Sequence, residues 1–395
     1  MLLRYRYRCY PEPGQKALLA KAFGCARVVW NDALALNRQV YQDKVKSFDS
    51  GALMKRCITE AKRTKERSWL ADASHSVLQQ SVRDLSQAFR NWWQGKGRVR
   101  APNFKKRGNR QSIRACGKEF YPTETGVRFP KIGVLRLRWS RPLPSEPSSV
   151  TIIKECSGKY YASFVVEGED VKLPWTPKEV GIDLGLASLA VTSDGEKFAP
   201  ARFLRSALRK IGRLQRSLSR KVKGSRNRSK ARLLLANAQE KVGAKRLDFL
   251  HKLSTQLIGE NQTVVLEDLN VSGMLKNHCL AKSISDAGWR MFRTLLEYKA
   301  ERYGREVRVI SRWEPTSQKC SECGHQDGKK PLSVRTWTCP VCGSAHDRDI
   351  NAAKNTLAAG QAERLNACGV KSKSSLLVSD PEAGTRLDRG AHSAS

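Results

Sequence analysis

The chain is short of negative charge. Its 395 residues include 37 Asp and Glu against 73 Lys and Arg, a formal net charge of +36. A surplus of that size repels itself in a compact state and is offset most naturally by a polyanion, with nucleic acid favoured over an anionic membrane surface. Also missing is any apolar run near the ~18 residues of a membrane span, which excludes insertion. The opening Met1-Leu2-Leu3-Arg4-Tyr5-Arg6-Tyr7-Arg8 alternates basic and apolar residues and has no signal-peptide core. There is no disulfide framework. Of 11 cysteines, an odd number, Cys9, Cys25, Cys57, Cys116, Cys156, Cys279 and Cys368 are scattered, and four fall in two Cys-x-x-Cys pairs. That suits a reducing interior with one metal site, so the expected location is the cytoplasm, on the nucleoid when bound to DNA. The pattern Gly-x-x-x-x-Gly-Lys-Ser/Thr is absent, which leaves no support for a nucleotide-hydrolysing motor. What is present is ordinary for a folded protein: 40% hydrophobic and 28% charged residues, in a length suited to about two to three domains.

The periodicity changes along the chain. Leu3, Tyr5 and Tyr7 alternate with Arg4, Arg6 and Arg8 as in a strand, and Pro11-Glu12-Pro13-Gly14 ends it. Residues 15–95 read as helices, with one stripe through Leu18, Leu19, Ala22, Phe23, Ala26, Val29, Trp30, Ala33 and Leu34. A second runs through Leu78, Val82, Leu85, Phe89 and Trp92, expected to be core. A basic loop follows, from Gly95-Lys96-Gly97-Arg98 to Lys105, Lys106 and Arg107. Short strands at 126–129, 134–139, 150–153 and 160–166 then suggest a small barrel or curled antiparallel sheet into which the first strand could pair. Pro174-Trp175-Thr176-Pro177 marks a boundary. Beyond it come a hairpin signal around Asp183 and a basic helical stretch from about Ala201 to Leu257 that breaks at Gly224-Ser225. Strands at 263–267 and 307–310 flank a helix bearing Trp289, Phe292, Leu295, Leu296 and Tyr303, a mixed α/β order. Arg205, Arg209, Arg213, Arg216 and Arg220 share a face of the basic stretch. So few acids accompany them that polyanion contact is preferred to a merely solvated surface.

Two groups of residues carry chemistry. Cys320-x-x-Cys323 and Cys339-x-x-Cys342, fifteen residues apart, have zinc-ribbon spacing. Four thiolates close a tetrahedral site, so a Zn²⁺ there is structural; a redox disulfide is the weaker alternative. Asp183 lies in an apolar strand, Glu267 ends another, and Asp349 begins a helix. Taken singly, each acid is explained by a salt bridge or, for Asp349, a helix cap. Asp268 and Asp347 read as surface or supporting groups. Taken together on so positive a chain, the three form a hard oxygen-ligand set for Mg²⁺, two of which can drive an in-line phosphodiester displacement.

The segments Gly181-Ile182-Asp183-Leu184-Gly185, Leu266-Glu267-Asp268-Leu269-Asn270 and Asp347-Arg348-Asp349-Ile350-Asn351-Ala352-Ala353 resemble the three RuvC-type motifs of the TnpB family of transposon-encoded proteins. Arg312-Trp313-Glu314-Pro315-Thr316-Ser317-Gln318-Lys319-Cys320 resembles that family's entry into its zinc ribbon. The likeness runs from residue 1 to about Gly360. It implies an α+β multidomain chain: an RNase H-like (RuvC) α/β nuclease domain with an inserted zinc ribbon, and a small wedge β-barrel interrupted by a helical recognition bundle. The implied boundaries are 1–14 and 101–177 for the wedge and 15–100 for the recognition lobe. The nuclease domain covers 178–313 with the basic hairpin 201–257, the ribbon 314–345, the last motif 346–360, and a disordered tail 361–395. It further implies an RNA-guided DNA endonuclease with Asp183, Glu267 and Asp349 as Mg²⁺ ligands. Its partners would be a guide RNA from the transposon end and target double-stranded DNA cut beside a short motif, the protein acting as a monomer with its RNA. A guided DNA-binding regulator without cleavage, an RNase H-like transposase without a guide, and a membrane-surface protein are the alternatives.

Overall fold

A computed structural model describes residues 1–42, 49–95, 100–331 and 333–367. The loop residues 96–99 and the tail from 368 lie outside the described residues. The chain forms two compact units. One comprises residues 1–176, 201–260 and 271–306; the other comprises 177–200, 261–270 and 307 onward.

The first unit is built on a seven-stranded antiparallel sheet. Its strands are β1 (Leu2–Cys9), β2 (Gln111–Cys116), β3 (Tyr121–Pro122), β4 (Gly126–Phe129), β5 (Gly133–Arg138), β6 (Ser149–Lys154) and β7 (Tyr160–Glu167), in the order β2-β6-β7-β1-β5-β4-β3. β1 pairs along its whole length with β7, Leu2 opposite Glu167 and Cys9 opposite Tyr160, so the chain's first strand does enter a sheet formed mostly 100 residues later. The pairing is an open series and not the ring of a closed barrel. Its last strand is two residues long and ends in Pro122, which has no N–H to extend a ladder.

Helices α1 (Pro13–Gln42), α2 (Ser50–Met54) and α3 (His75–Trp93) fill the gap between β1 and β2. A π turn at Lys55–Glu60 and 3-10 turns at Ala61–Arg63 and Ser68–Asp72 join α2 to α3. Leu19, Phe23, Val29, Trp30, Ala33 and Leu34 are buried against Leu78, Val82 and Leu85 in one core with the sheet. The second stripe departs from expectation at its end: Trp92 is 37% and Trp93 57% exposed, the latter stacked on Phe89 at 5.3 Å.

The basic stretch forms α4 (Phe203–Ser219) and α5 (Arg226–Glu260), broken where Gly224 takes φ 88°. With α6 (Val271–Met274), α7 (Ala281–Ala287) and α8 (Trp289–Tyr303) these helices pack into the first unit, whereas the sequence reading grouped them with the strands that flank them in the chain. Specific contacts account for this. Tyr161 Oη donates to Glu240 Oε1 at 2.8 Å, Lys159 pairs with Glu240 at 3.2 Å, and Asn237 Nδ2 donates to Ser157 O at 3.3 Å.

The second unit holds the sheet β10-β9-β8-β11-β12, comprising β8 (Glu179–Asp183), β9 (Ala190–Thr192), β10 (Lys197–Phe198), β11 (Thr263–Glu267) and β12 (Glu306–Ile310). It also holds the ribbon hairpin β13 (Thr336–Thr338) and β14 (Ala345–Asp347), followed by α9 (Arg348–Ala367). α9 continues past Gly360 into residues expected to be a disordered tail. Gln361, Ala362, Glu363, Arg364 and Leu365 are good helix formers, and Gln361 and Arg364 both reach Glu179, at 2.8 and 3.3 Å.

Candidate active site and metal centre

β8 and β11 are short, apolar and buried: Val180, Ile182, Val264, Val265 and Leu266 are all at most 1% exposed. They run parallel, with Ile182 opposite Leu266. The next residue on each strand is a carboxylate, so Asp183 and Glu267 emerge side by side at the carboxyl ends of adjacent parallel strands, where open α/β sheets place their ligands. α9 supplies the third acid. A Cβ at Gly181 would lie 2.2 Å from Ala353 O and 2.6 Å from Leu357 N, so only glycine lets α9 lie this close over β8. The cap of α9 is Asp347, which accepts from the N–H groups of Asp349 and Ile350, both at 3.1 Å. Capping therefore does not explain Asp349, which stands free of that duty in the first helical turn.

The electrostatics are those of crowded acids. Burial first, then the charges of Glu267 and Asp349, push the Asp183 carboxyl up to about 7, against the opposing pull of Arg348 and Arg335. Burial also raises Glu267, and a hydrogen bond from Thr316 Oγ1 to Glu267 Oε1 at 2.5 Å works against it. Arg335 Nη1 lies 3.5 Å from Asp349 Oδ1. The neighbouring acids are tied elsewhere. Asp268 is bonded to Arg312. Asp347 accepts from Lys197 Nζ at 2.6 Å; burial would raise its carboxyl, but that bond and the two backbone N–H groups bring it below the usual range. The charges of Glu267 and Asp349 both reach Asp183, although the oxygens of the three acids do not all lie within 4.8 Å of one another; oxygen donors of this kind suit a hard divalent cation.

The four cysteines are, among the described residues, the one set of three or more His, Cys, Asp or Glu whose donor atoms all lie within 4.8 Å of one another. Each pair is a tight knuckle. Gly324 N–H bonds Cys320 O and Gly343 N–H bonds Cys339 O, both at 3.0 Å, and the two glycines adopt φ 77° and 74°. Four sulfurs with no open position fit a structural Zn²⁺. His346, which the sequence reading passed over, places Nε2 3.0 Å from Cys320 Sγ.

Two further residues were missed. Asn351 Nδ2 donates to Lys319 O at 2.8 Å and its Oδ1 accepts from Ser321 N–H; Asn355 Nδ2 donates to Thr316 O at 2.8 Å and Lys319 O at 2.6 Å. These amides tie α9 to the ribbon and to the residue that hydrogen-bonds Glu267. Their signal was available: two amides four apart on a helical stretch share one face and, where that face is buried, need partners.

The basic residues divide. Arg205, Arg209, Arg213, Arg216 and Arg220 are all exposed on α4 and its end, as are Lys106 and Arg107. Lys105 is different. Its ammonium sits 3.7 Å over the Trp30 ring, and burial pushes it down to about 8, with Asp84 opposing.

Known proteins are similar to this chain along most of its length. Of the curated relatives described as "Putative RNA-guided DNA endonuclease", two are more than 30% identical to this chain. The one from Streptomyces pristinaespiralis is 42% identical over 92% of this chain and 90% of its own. The other, InsQ of Escherichia coli K12, is 34% identical over 93% of this chain and 94% of its own. The chain belongs to the TnpB family. Family descriptions match this TnpB-family chain in three places: "Helix-turn-helix domain" over residues 1–46, "Probable transposase" over 163–278 and "Cas12f1-like, TNB domain" over 289–356. The first of these covers β1 and α1, a strand and one long helix. Among solved structures, the Cas12f1 chain of a cryo-EM complex with sgRNA and target DNA shares the fold, with a TM-score of 0.54 at 15% identity over 88% of this chain and 83% of that one.

Proposed function

We propose that this protein is an RNA-guided DNA endonuclease whose single RuvC-type site is formed by Asp183, Glu267 and Asp349. The observation that carries the reading is the convergence of these three acids from two parallel strand ends and a helix start, in a chain 42% identical to a relative described as such an endonuclease. In this reading the three carboxylates hold Mg²⁺, which supplies activation of water and charge stabilisation at the leaving oxygen of a phosphodiester. Thr316 orients Glu267. Arg335 and Arg348 offset part of the acids' negative charge. Cys320, Cys323, Cys339 and Cys342 hold Zn²⁺ and fix the loop from which Thr316 reaches Glu267.

The seven-stranded sheet is then the wedge, α1–α3 the recognition lobe, and the arginine face of α4 a sequence-blind track for phosphates, with the reading of sequence left to base pairing. The guide is an RNA derived from the transposon end. RNA that co-purifies with the protein expressed together with its flanking transposon sequence, once sequenced, names it. The reconstituted complex should then cut a plasmid carrying the matching target in Mg²⁺, and Asp183→Ala should not. Cleavage by Asp183→Ala at the parent rate refutes the site; absence of any discrete RNA refutes the guide.

A further inference from the structure

Trp313 is 85% exposed, the highest value for a large apolar side chain among the described residues. It sits on a turn after β12 that is fastened on both sides to the candidate site. Just before it, the Arg312 guanidinium is bonded to Asp268, the residue following Glu267. Just after it, Thr316 Oγ1 bonds Glu267 itself at 2.5 Å. The turn is closed by Trp313 N–H on Ser311 Oγ at 3.3 Å and Glu314 N–H on Ser311 O at 3.2 Å. Three residues of chain reach at most ~11 Å, so the indole stands one short loop from the Glu267 carboxylate.

Among the described residues the ring belongs to no core cluster, and the turn's hydrogen bonds run through backbone and other side chains. Water is a poor neighbour for an indole, whereas the flat face of a nucleobase is a good one, and stacking accepts any base. Of the cations at this site, Arg312 pairs with Asp268 and Arg335 with Asp349. A base inside a duplex is already stacked on its neighbours, so the free ring suits an unpaired strand.

We propose that Trp313 is a positioning residue that stacks on a nucleobase of the single DNA strand entering the carboxylate site, beside the phosphate to be cut. This deepens the endonuclease reading and rests on it. The test uses the full-length protein with its co-purified RNA and single-stranded or pre-opened DNA substrates. Trp313→Ala should raise KM at least ~10-fold while kcat changes less, and Trp313→Phe should recover most of the loss. One abasic nucleotide moved stepwise along the substrate should weaken cutting by the parent at one or two positions, and those positions should lose their effect in Trp313→Ala.

An unchanged KM in Trp313→Ala, or an abasic scan identical in parent and variant, overturns the assignment. So does loss of the guide RNA from Trp313→Ala, which would place the ring on RNA. If the parent cuts and the Ala variant equals it, the Trp313 proposal alone falls. If the parent cuts nothing, the endonuclease reading falls and takes this proposal with it.

Discussion

Asp183 occupies a position that is costly to stability when it is ionised. Its carboxyl is raised to about 7 by burial and by two neighbouring acids, so between its ordinary value near 4 and about 7 the folded protein binds a proton that the unfolded chain has released. The sign follows: as pH rises through that window, the folded state loses stability through this group, and the cost is complete above 7. Asp183→Asn removes it. In metal-free buffer the variant should gain about 2–4 kcal/mol over the parent at pH 7.5, shrinking toward zero near pH 4, while cleavage is abolished. Urea unfolding of both proteins across pH checks it, and an Asn variant less stable than the parent at pH 7.5 would contradict the repulsion. That Asp183 and Glu267 stand at the ends of apolar strands was legible in the sequence, because an acid beside Ile182 or Leu266 breaks an apolar run conspicuously. What was not legible was which acid caps α9: Asp347 and Asp349 stand two apart, and only the backbone geometry separates cap from first turn.

Elements were read well where their periodicity was local and poorly where a contact was distant. The strand Thr263–Glu267 and the break between α4 and α5 follow from hydrophobic runs and a glycine. The grouping of α4 and α5 with the first unit depends on Tyr161, Lys159 and Glu240, residues about 80 apart, and no local pattern encodes it. The start of α4 is a similar case. Its N-cap position, Arg202, has φ 42° and no capping side chain; Asp286 of α7 caps it instead, accepting from Leu204 and Arg205 N–H at 2.9 and 3.2 Å. Asp286 also holds the largely buried Arg246 at 2.9 Å. Asp286→Ala removes a cap and strands a charge, and should cost about 3–5 kcal/mol in urea unfolding. Asp286→Asn, which keeps an acceptor, should cost less than half of that. The zinc ribbon makes a prediction of its own. Its buried apolar residues are Cys320, Trp337 and Cys339, too few to fold without a metal. A zinc-selective chelator in excess Mg²⁺ should change the Trp337 fluorescence and lower cleavage at least ~10-fold with all three carboxylates intact, because Thr316 loses its anchor on Asn355. Full activity after zinc loss would uncouple the ribbon from Glu267.

At the scale of the whole molecule, the surplus of +36 acts through its placement. Four arginines on α4 and Arg220 at its end face solvent, while the Lys105 charge rests over Trp30. Cations that meet phosphates release counterions, so each contact adds roughly 0.7–0.9 to the slope of log affinity against log salt. Replacing Arg205, Arg209, Arg213, Arg216 and Arg220 together by Gln should therefore reduce that slope by about 4 and weaken binding of all sequences alike. Lys105→Gln should leave the slope unchanged and lower stability, since the side chain is held within the fold. Titrations of the protein on guide RNA alone and on a guide–target heteroduplex, from low to moderate salt, separate the two partners. A slope that falls with the heteroduplex but not with RNA alone assigns α4 to the heteroduplex. A slope unmoved by the fivefold change on either would mean that α4 meets only water, and that the charge needed for nucleic acid lies elsewhere on the protein.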